Sequence, residues 1–449
     1  MMKIKISKYK IIFLLTILVI LLLVFNARNI YEVLPSKYKI SFKNFAIERY
    51  EGLSDQNKII LRVFNIDPFK SLNTRYLRND PVINNLNNDY NVKFLPKTQY
   101  QNFEINIFKV NFNNKIDNKN KPSKYGTFSP FYFEIYNNNI IFINSKGEIL
   151  QTDLKSIFES GKDKKFKNID SNLKVDLVMG SLIYQDQIFI SYRTIQNDCQ
   201  KYKISKAKIN LENLKFEDFY ESNDCGENLR AGAMAVINFN GSEGLLATVG
   251  GENLNQPTDK AQMDDSDIGK ILFISLDTNK KIIYSKGHRN PQGLVKISEN
   301  NIISTEHGPF GGDEINKIIF GKNYGWPIAS YGFPYPSSNK FKREPYKKNH
   351  KDFNFEEPIF SFIPSIGISQ IISISNKFSK NWQDNYLLSS LNGASLYRLK
   401  FNKDFNKIIF MEKIFVGKRI RDLKYVENQN ALILALEDFQ EIMILKSIN

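Results

Sequence analysis

Lys270–His307 reads KILFISLDTNKKIIYSKGHRNPQGLVKISENNIISTEH. Four runs of Ile, Val, Leu and aromatic residues (KILFISLD, KKIIYSKG, GLVKIS, NIISTEH) alternate with Asp-Thr-Asn, with a Gly-His-Arg-Asn-Pro-Gln-Gly loop and with Glu-Asn-Asn. β-Branched and aromatic side chains suit a pleated, packed surface, and Asn, Gly and Pro suit the turns between. No run exceeds eight residues. The stretch therefore predicts consecutive short strands rather than helices.

The same alternation extends in both directions. Upstream lie FEINIFKVNF, FYFEIYNN, NIIFINS, GSLIYQDQIFISYR, AMAVINF and GLLATVGG; downstream lie DNYLLSSL, ASLYRLKF, KIIFMEKI, ALILALED and EIMILKS. Long amphipathic helical patterns are absent. Fifteen such runs across residues 103–449 are more than one sandwich holds. Four-stranded blades around an axis absorb them, so the expected class is all-β, a six-bladed β-propeller. FEINIFKVNF and EIMILKSIN are the candidate strands for the clasp that closes the ring. The expected organisation is 1–28 as a signal anchor or transmembrane segment, 29–102 as a small irregular N-terminal extension, and 103–449 as the propeller.

Composition narrows the function classes. The chain has 449 residues, is 42% hydrophobic and 24% charged, which excludes a disordered or polytopic membrane protein. The net charge of +15 is spread among Asn and Ile rather than gathered in a block, so it reads as a solvated basic surface, and no nucleic-acid partner is expected. Lys3, Lys5, Lys8 and Lys10 precede the apolar run Ile11–Phe25. That pattern predicts an N-terminal transmembrane helix with the lysines inside. Phe25 stands where a cleavable signal wants a small residue, which favours an uncleaved anchor. The bulk of the chain is then expected outside the cytoplasm, in a bacterium in the periplasm. Cys199 and Cys225 flank a strand pair, and in an oxidising compartment a disulfide between them is expected; two unpaired thiols are the alternative.

Chemistry concentrates in Gly287–Pro327. The loop Gly287–Gly293 (GHRNPQG) opens a strand and can aim Arg289 and Asn290 into a central channel. In EHGPFGGDEIN (Glu306–Asn316) small residues let backbone carbonyls approach a hard cation, with Asp313 and Glu314 adding charge. Asn323–Pro327 (NYGWP) follows. Arg419-Ile420-Arg421-Asp422 places two guanidiniums on one face of a strand, a site for a polycarboxylate.

Together these motifs resemble the pyrroloquinoline quinone (PQQ)-dependent sugar dehydrogenases, the soluble glucose dehydrogenase, aldose sugar dehydrogenase and glucose/sorbosone dehydrogenase family. GHRNPQG, EHGPxGGDEIN, GxNYGWP and RIRD occur in the family's order. The resemblance implies a six-bladed propeller, PQQ and Ca2+ as cofactors, and a sugar or related alcohol as substrate. Position by position it assigns Arg289 and Asn290 to the quinone and Gln292 to the same pocket. Gly308 and Pro309 supply carbonyls to calcium, Asp313 is an acid near the substrate, and Arg419 and Arg421 bind cofactor carboxylates. In such enzymes calcium polarises a quinone carbonyl, a base takes the hydroxyl proton, and hydride passes to the quinone.

The chain departs from the pattern in two places. Leu229 falls where the base histidine is expected, with Arg230 beside it, and no histidine occurs before His288. Asn392 replaces a cofactor-binding lysine. Asp313 is the expected substitute base, with His307 second. The expected function is a periplasm-facing, PQQ- and calcium-dependent oxidoreductase with a replaced base. The alternatives are a non-catalytic propeller binding calcium, quinone or glycan, and a structural interaction propeller.

Overall fold

The computed structural model describes residues 82–84, 102–112, 130–159, 164–251, 259–334, 346–437 and 440–448. The expected membrane helix Ile11–Phe25 lies outside them. Among the described residues no helix is long and apolar enough to cross a membrane.

Six sheets of four or five strands follow one another along the chain, antiparallel except where Asn213–Leu214 joins Lys167–Ser171 in parallel at the edge of the first. Their innermost strands are Phe131–Tyr136, Leu177–Tyr184, Leu229–Phe239, Pro291–Ser298, Ile368–Ile374 and Ile420–Val426. Each touches the next, and the last touches the first, which closes a ring of six blades. The expected propeller is thus present. In the sixth blade Asn102–Lys109 pairs with Glu441–Ile448 over eight residues, so an N-terminal strand clasps the C-terminal one. Val82–Asn84, from the stretch expected to be an irregular extension, adds an edge strand to the fourth blade against Phe360–Ile363.

The apolar runs follow from the packing. Each blade lies between two others, so both faces are covered. Lys270–Ser275 and Ala431–Leu436 are buried at every position and read as continuous rather than alternating hydrophobic stretches. One core sits at every blade junction. Ile303, Phe360 and Phe362 of the fourth blade meet Ile368, Leu388 and Tyr397 of the fifth. Phe131 and Phe133 of the first meet Ile433 and Ile442 of the sixth.

The inner strands are irregular near their starts. Register shifts occur at Val178/Gly180, Ala231/Met234, Pro291/Gly293, Ile368/Ile371 and Ile420/Asp422. Bulges at a barrel or propeller rim bend the strand and re-aim its side chains. Gly232 has φ +105, and a Cβ there would lie 2.6 Å from the Met179 Cβ, so only glycine suits this bulge.

Candidate active site

The five bulges surround one end of the central channel. A cavity of about 630 Å3 opens there, lined by residues of all six blades. Every expected site residue lines it: Arg289, Asn290, Gln292, Gly308, Pro309, Asp313, Arg419 and Arg421.

The GHRNPQG loop is held from below by a buried carboxylate. Glu306 Oε1 accepts the backbone N–H groups of Arg289 and Asn290, the latter at 3.2 Å. Its Oε2 meets His288 Nδ1 at 3.0 Å, and His288 Nε2 meets Ser285 Oγ at 2.8 Å. His288 is fully buried and stacks on Tyr324. This Ser-His-Glu chain has no access to the cavity; it fixes the loop. The Arg289 guanidinium lies over Trp326 and donates to the carbonyls of His307 (3.0 Å) and Gly308 (2.8 Å).

A second carboxylate organises the arginine pair. Glu437 is fully buried and accepts Arg419 Nε at 2.5 Å, Arg421 Nε at 2.8 Å and Arg421 Nη2 at 2.6 Å. Burial alone would raise its pKa, yet Arg421 and Arg419 outweigh burial and hold it below the usual carboxylate range. Arg419 precedes its strand rather than lying in it, and the bulge at Ile420/Asp422 interrupts the strict alternation. The two guanidiniums converge through Glu437 instead.

From Arg421 a polarised chain of hydrogen bonds crosses to the EHGPFGGD loop. Arg421 Nη1 donates to Gln292 Oε1 (2.9 Å), Gln292 Nε2 to Asn290 Oδ1 (2.8 Å), and Asn290 Nδ2 to His307 Nδ1 (3.4 Å). His307 Nε2 donates to the Ile368 carbonyl. Burial pushes His307 down to about 4, so the ring is neutral and this tautomer is self-consistent. Asp313 is buried; its Oδ1 accepts Gly308 N–H (3.1 Å) and its Oδ2 accepts Ile368 N–H (3.0 Å). It shapes the loop as well as facing the cavity.

Histidine placement differs from expectation at one point. Leu229 is buried in the core between the second and third blades, with Val249 and Ile268, and does not reach the cavity. Arg230, the next residue, does line it. Asn392 lines the cavity as expected. Sequence reasoning did not identify Glu306, Glu437 or the cavity-lining Tyr132, whose phenol is pushed up to about 12, chiefly by burial. The expected disulfide is present: Cys199 and Cys225 are bonded, at the start of one strand of the second blade and just beyond its outer strand.

Two tests of fit follow. Arg419, Arg421, Gln292 and Asn290 form a concave array of donors around one cavity, which suits a flat polycarboxylate. For calcium the protein offers neutral carbonyls only. Gly308 O already accepts Arg289, and among the described residues no three His, Cys, Asp or Glu side chains gather for a metal. Calcium takes about six to eight oxygens. The carbonyls of Gly308 and Pro309 can therefore be only part of its shell, with the rest coming from a bound ligand and water.

The family model for glucose/sorbosone dehydrogenase matches residues 178–446. The aldose sugar dehydrogenase YliI of Escherichia coli is 32% identical over 217 residues, which is 45% of this chain and 56% of that protein. The chain spans about half the length of the curated relatives it matches over these stretches. The soluble aldose sugar dehydrogenase from Escherichia coli, in apo form, superposes with a TM-score of 0.59 at 21% identity, covering 77% of this chain and 99% of that one. The PQQ-bound aldose sugar dehydrogenase from Streptomyces coelicolor gives 0.53 at 16%, covering 78% and 100%. At these identities the two structures speak for the fold. Since the family match takes in more than half of the chain, with every bulged inner strand after the first blade and both loops of the cavity inside it, the chain belongs to the glucose/sorbosone dehydrogenase family.

Proposed function

We propose that the chain is a PQQ-dependent oxidoreductase that oxidises a sugar or related alcohol to the carbonyl level, with calcium as a second cofactor. The single observation that carries this reading is the convergence of Arg289, Asn290, Gln292, Arg419 and Arg421 on one cavity. The names of relatives, an aldose sugar dehydrogenase and a PQQ-bound aldose sugar dehydrogenase, support it.

In this reading Arg419 and Arg421 hold carboxylates of the quinone. Gln292 and Asn290 orient it, and Glu306 and Glu437 keep these donors in place. The carbonyls of Gly308 and Pro309 would hold calcium, which would supply Lewis-acid polarisation beside the quinone. The bound quinone supplies a two-electron acceptor for the hydride that leaves the alcohol carbon. The hydroxyl proton must go to a protein base. Asp313 and His307 are the candidates, because Glu437 is sealed between arginines, Tyr132 keeps its proton and Arg230 cannot accept one. Asp313 takes the role, since its oxygens retain lone pairs beyond the two backbone bonds. We further propose that the chain is anchored by Ile11–Phe25 with its bulk in the periplasm. The Cys199–Cys225 disulfide supports an oxidising compartment.

Leu229 at the expected base position, a side chain that cannot accept a proton, favours a second reading, a propeller that binds quinone and calcium without turnover. Thermal-shift titration with calcium, quinone and both, followed by dye reduction with a panel of aldoses and alcohols, separates the two. A joint shift with turnover supports the oxidoreductase. A joint shift without turnover supports the binding propeller. No shift with either ligand refutes both.

A further inference from the structure

We propose that the cavity binds an anionic sugar, one carrying a carboxylate or a phosphate, and that Arg230 is the residue that recognises the charge. The inference rests on the reading above in taking this cavity as the sugar site.

Arg230 sits on the third blade, just before the Ala231/Met234 bulge that turns its side chain to the channel. It is accessible within the cavity. Its guanidinium makes one hydrogen bond, Nε to Asn228 Oδ1 at 3.2 Å, and no ion pair among the described residues. Its arginine neighbours are differently placed. Arg193 is committed to Asp176 at 2.5 Å, and Arg421 to Glu437. Arg419 and Arg421 come from the sixth blade, across the ring from the third. The polycarboxylate site and Arg230 therefore occupy opposite walls.

The charge around the cavity is unbalanced. Among the described residues Lys146, Arg230, Arg289, Arg419 and Arg421 line it against Asp313 and Glu437, and Lys146 is drawn off to Asp176 at 3.6 Å. Glu437 is consumed by the arginine pair, and Asp313 already accepts two backbone amides. Burial, then Arg193 and Arg421, depress the Arg230 pKa, as expected where a cation lacks a counter-charge. The quinone carboxylates proposed for Arg419 and Arg421 lie on the opposite wall, so a neutral sugar leaves Arg230 itself without an anionic partner. A carboxylate or phosphate on the sugar supplies one through a bidentate, charge-assisted contact that guanidinium geometry favours. The wall beside Arg230 includes Leu177, Val178, Met179 and Ala231, and the acid that acts on Arg230, Asp176, is itself held by Arg193 at 2.5 Å.

The test is calorimetric titration of the full chain, with quinone and calcium present, at matched ionic strength. The ligands are glucose, glucuronate and glucose 6-phosphate, with acetate and inorganic phosphate as bare anions. A charge-assisted hydrogen bond contributes about 1.5–3 kcal/mol. The wild type should therefore bind glucuronate or glucose 6-phosphate roughly tenfold or more tightly than glucose, since tenfold is about 1.4 kcal/mol. Arg230→Gln should erase that preference and Arg230→Lys should retain part of it. Equal affinity for glucose and its anionic derivatives overturns the inference. So does a preference that survives Arg230→Gln, or bare anions binding as tightly as anionic sugars. Dye reduction separates this from the proposed activity. Turnover of neutral sugars with no anionic preference sinks the inference and leaves the oxidoreductase standing. Arg230-dependent binding without turnover of any sugar supports the inference and counts against the oxidoreductase.

Discussion

Glu437→Gln should destabilise the propeller, because Glu437 is the only protein carboxylate between Arg419 and Arg421 among the hydrogen bonds of the described residues. A glutamine keeps one acceptor oxygen but turns an NH2 group towards a guanidinium, so donor faces donor. Breaking a buried pair by removing one partner costs about 3–5 kcal/mol. At about 2.1 cal/mol/K of unfolding entropy per residue, the unit Pro81–Asn449 loses roughly 4–6 °C in Tm for that cost. Thermal unfolding followed by circular dichroism reads the shift. The sharper test is a double-mutant cycle with Arg421→Met, which removes the other side of the contact at similar volume. If Glu437 and Arg421 stabilise each other as their geometry indicates, the double variant loses less than the sum of the singles, by on the order of 2 kcal/mol. Additivity within about 0.5 kcal/mol would refute the reasoning and make Glu437 a spectator.

Glu306→Gln should weaken quinone binding more than it weakens the fold, because it loosens the backbone of Arg289 and Asn290. The loss of a buried acceptor, about 1–3 kcal/mol, should lower quinone affinity roughly tenfold in a thermal-shift titration, and unchanged affinity would sink the assignment. Lys270 is fully buried, and burial depresses its pKa to about 8, while its Nζ donates to the carbonyls of Lys260 and Ile268. Between about pH 8 and 10.5 the unfolded chain holds this proton and the folded chain does not, so this group's contribution to stability rises with pH by up to about 3 kcal/mol. The wild type should therefore gain on Lys270→Met across that window in urea titrations, and parallel curves would refute the shift. The Cys199–Cys225 bond closes a separation of 26 residues, and replacing both cysteines with serine should cost about 2–4 kcal/mol, a loss that reductant reproduces in the wild type.

The fold was legible because a blade strand covered on both faces leaves an unbroken apolar run, as in KILFIS and ALILAL, and because turn residues punctuate those runs. The C-terminal strand of the clasp was legible for the same reason, whereas Asn102–Lys109 is an alternating edge strand that leaves Ile105 and Ile107 exposed. The loops of the cavity were legible because two of the chain's three histidines and eight of its 23 glycines fall within residues 287–332. What escaped was phase. In the third blade Ala231 pairs with Val249 and Met234 with Ala247, so three steps on one strand answer two on its partner. One extra residue exchanges the faces of a strand, and counting along the sequence cannot find it. Nor does the sequence show that Leu229 faces a blade junction while Arg230 lines the cavity. Glu306 and Glu437 escaped for a different reason. An acid at the end of an apolar strand reads as a solvated cap until the fold brings a loop or an arginine pair against it. Leu229 offers no base, and Arg230 adds a cation to the cavity wall. As proposed, Arg230 adds to the positive field that an entering sugar meets, from a position just before a bulge that counting along the sequence does not find.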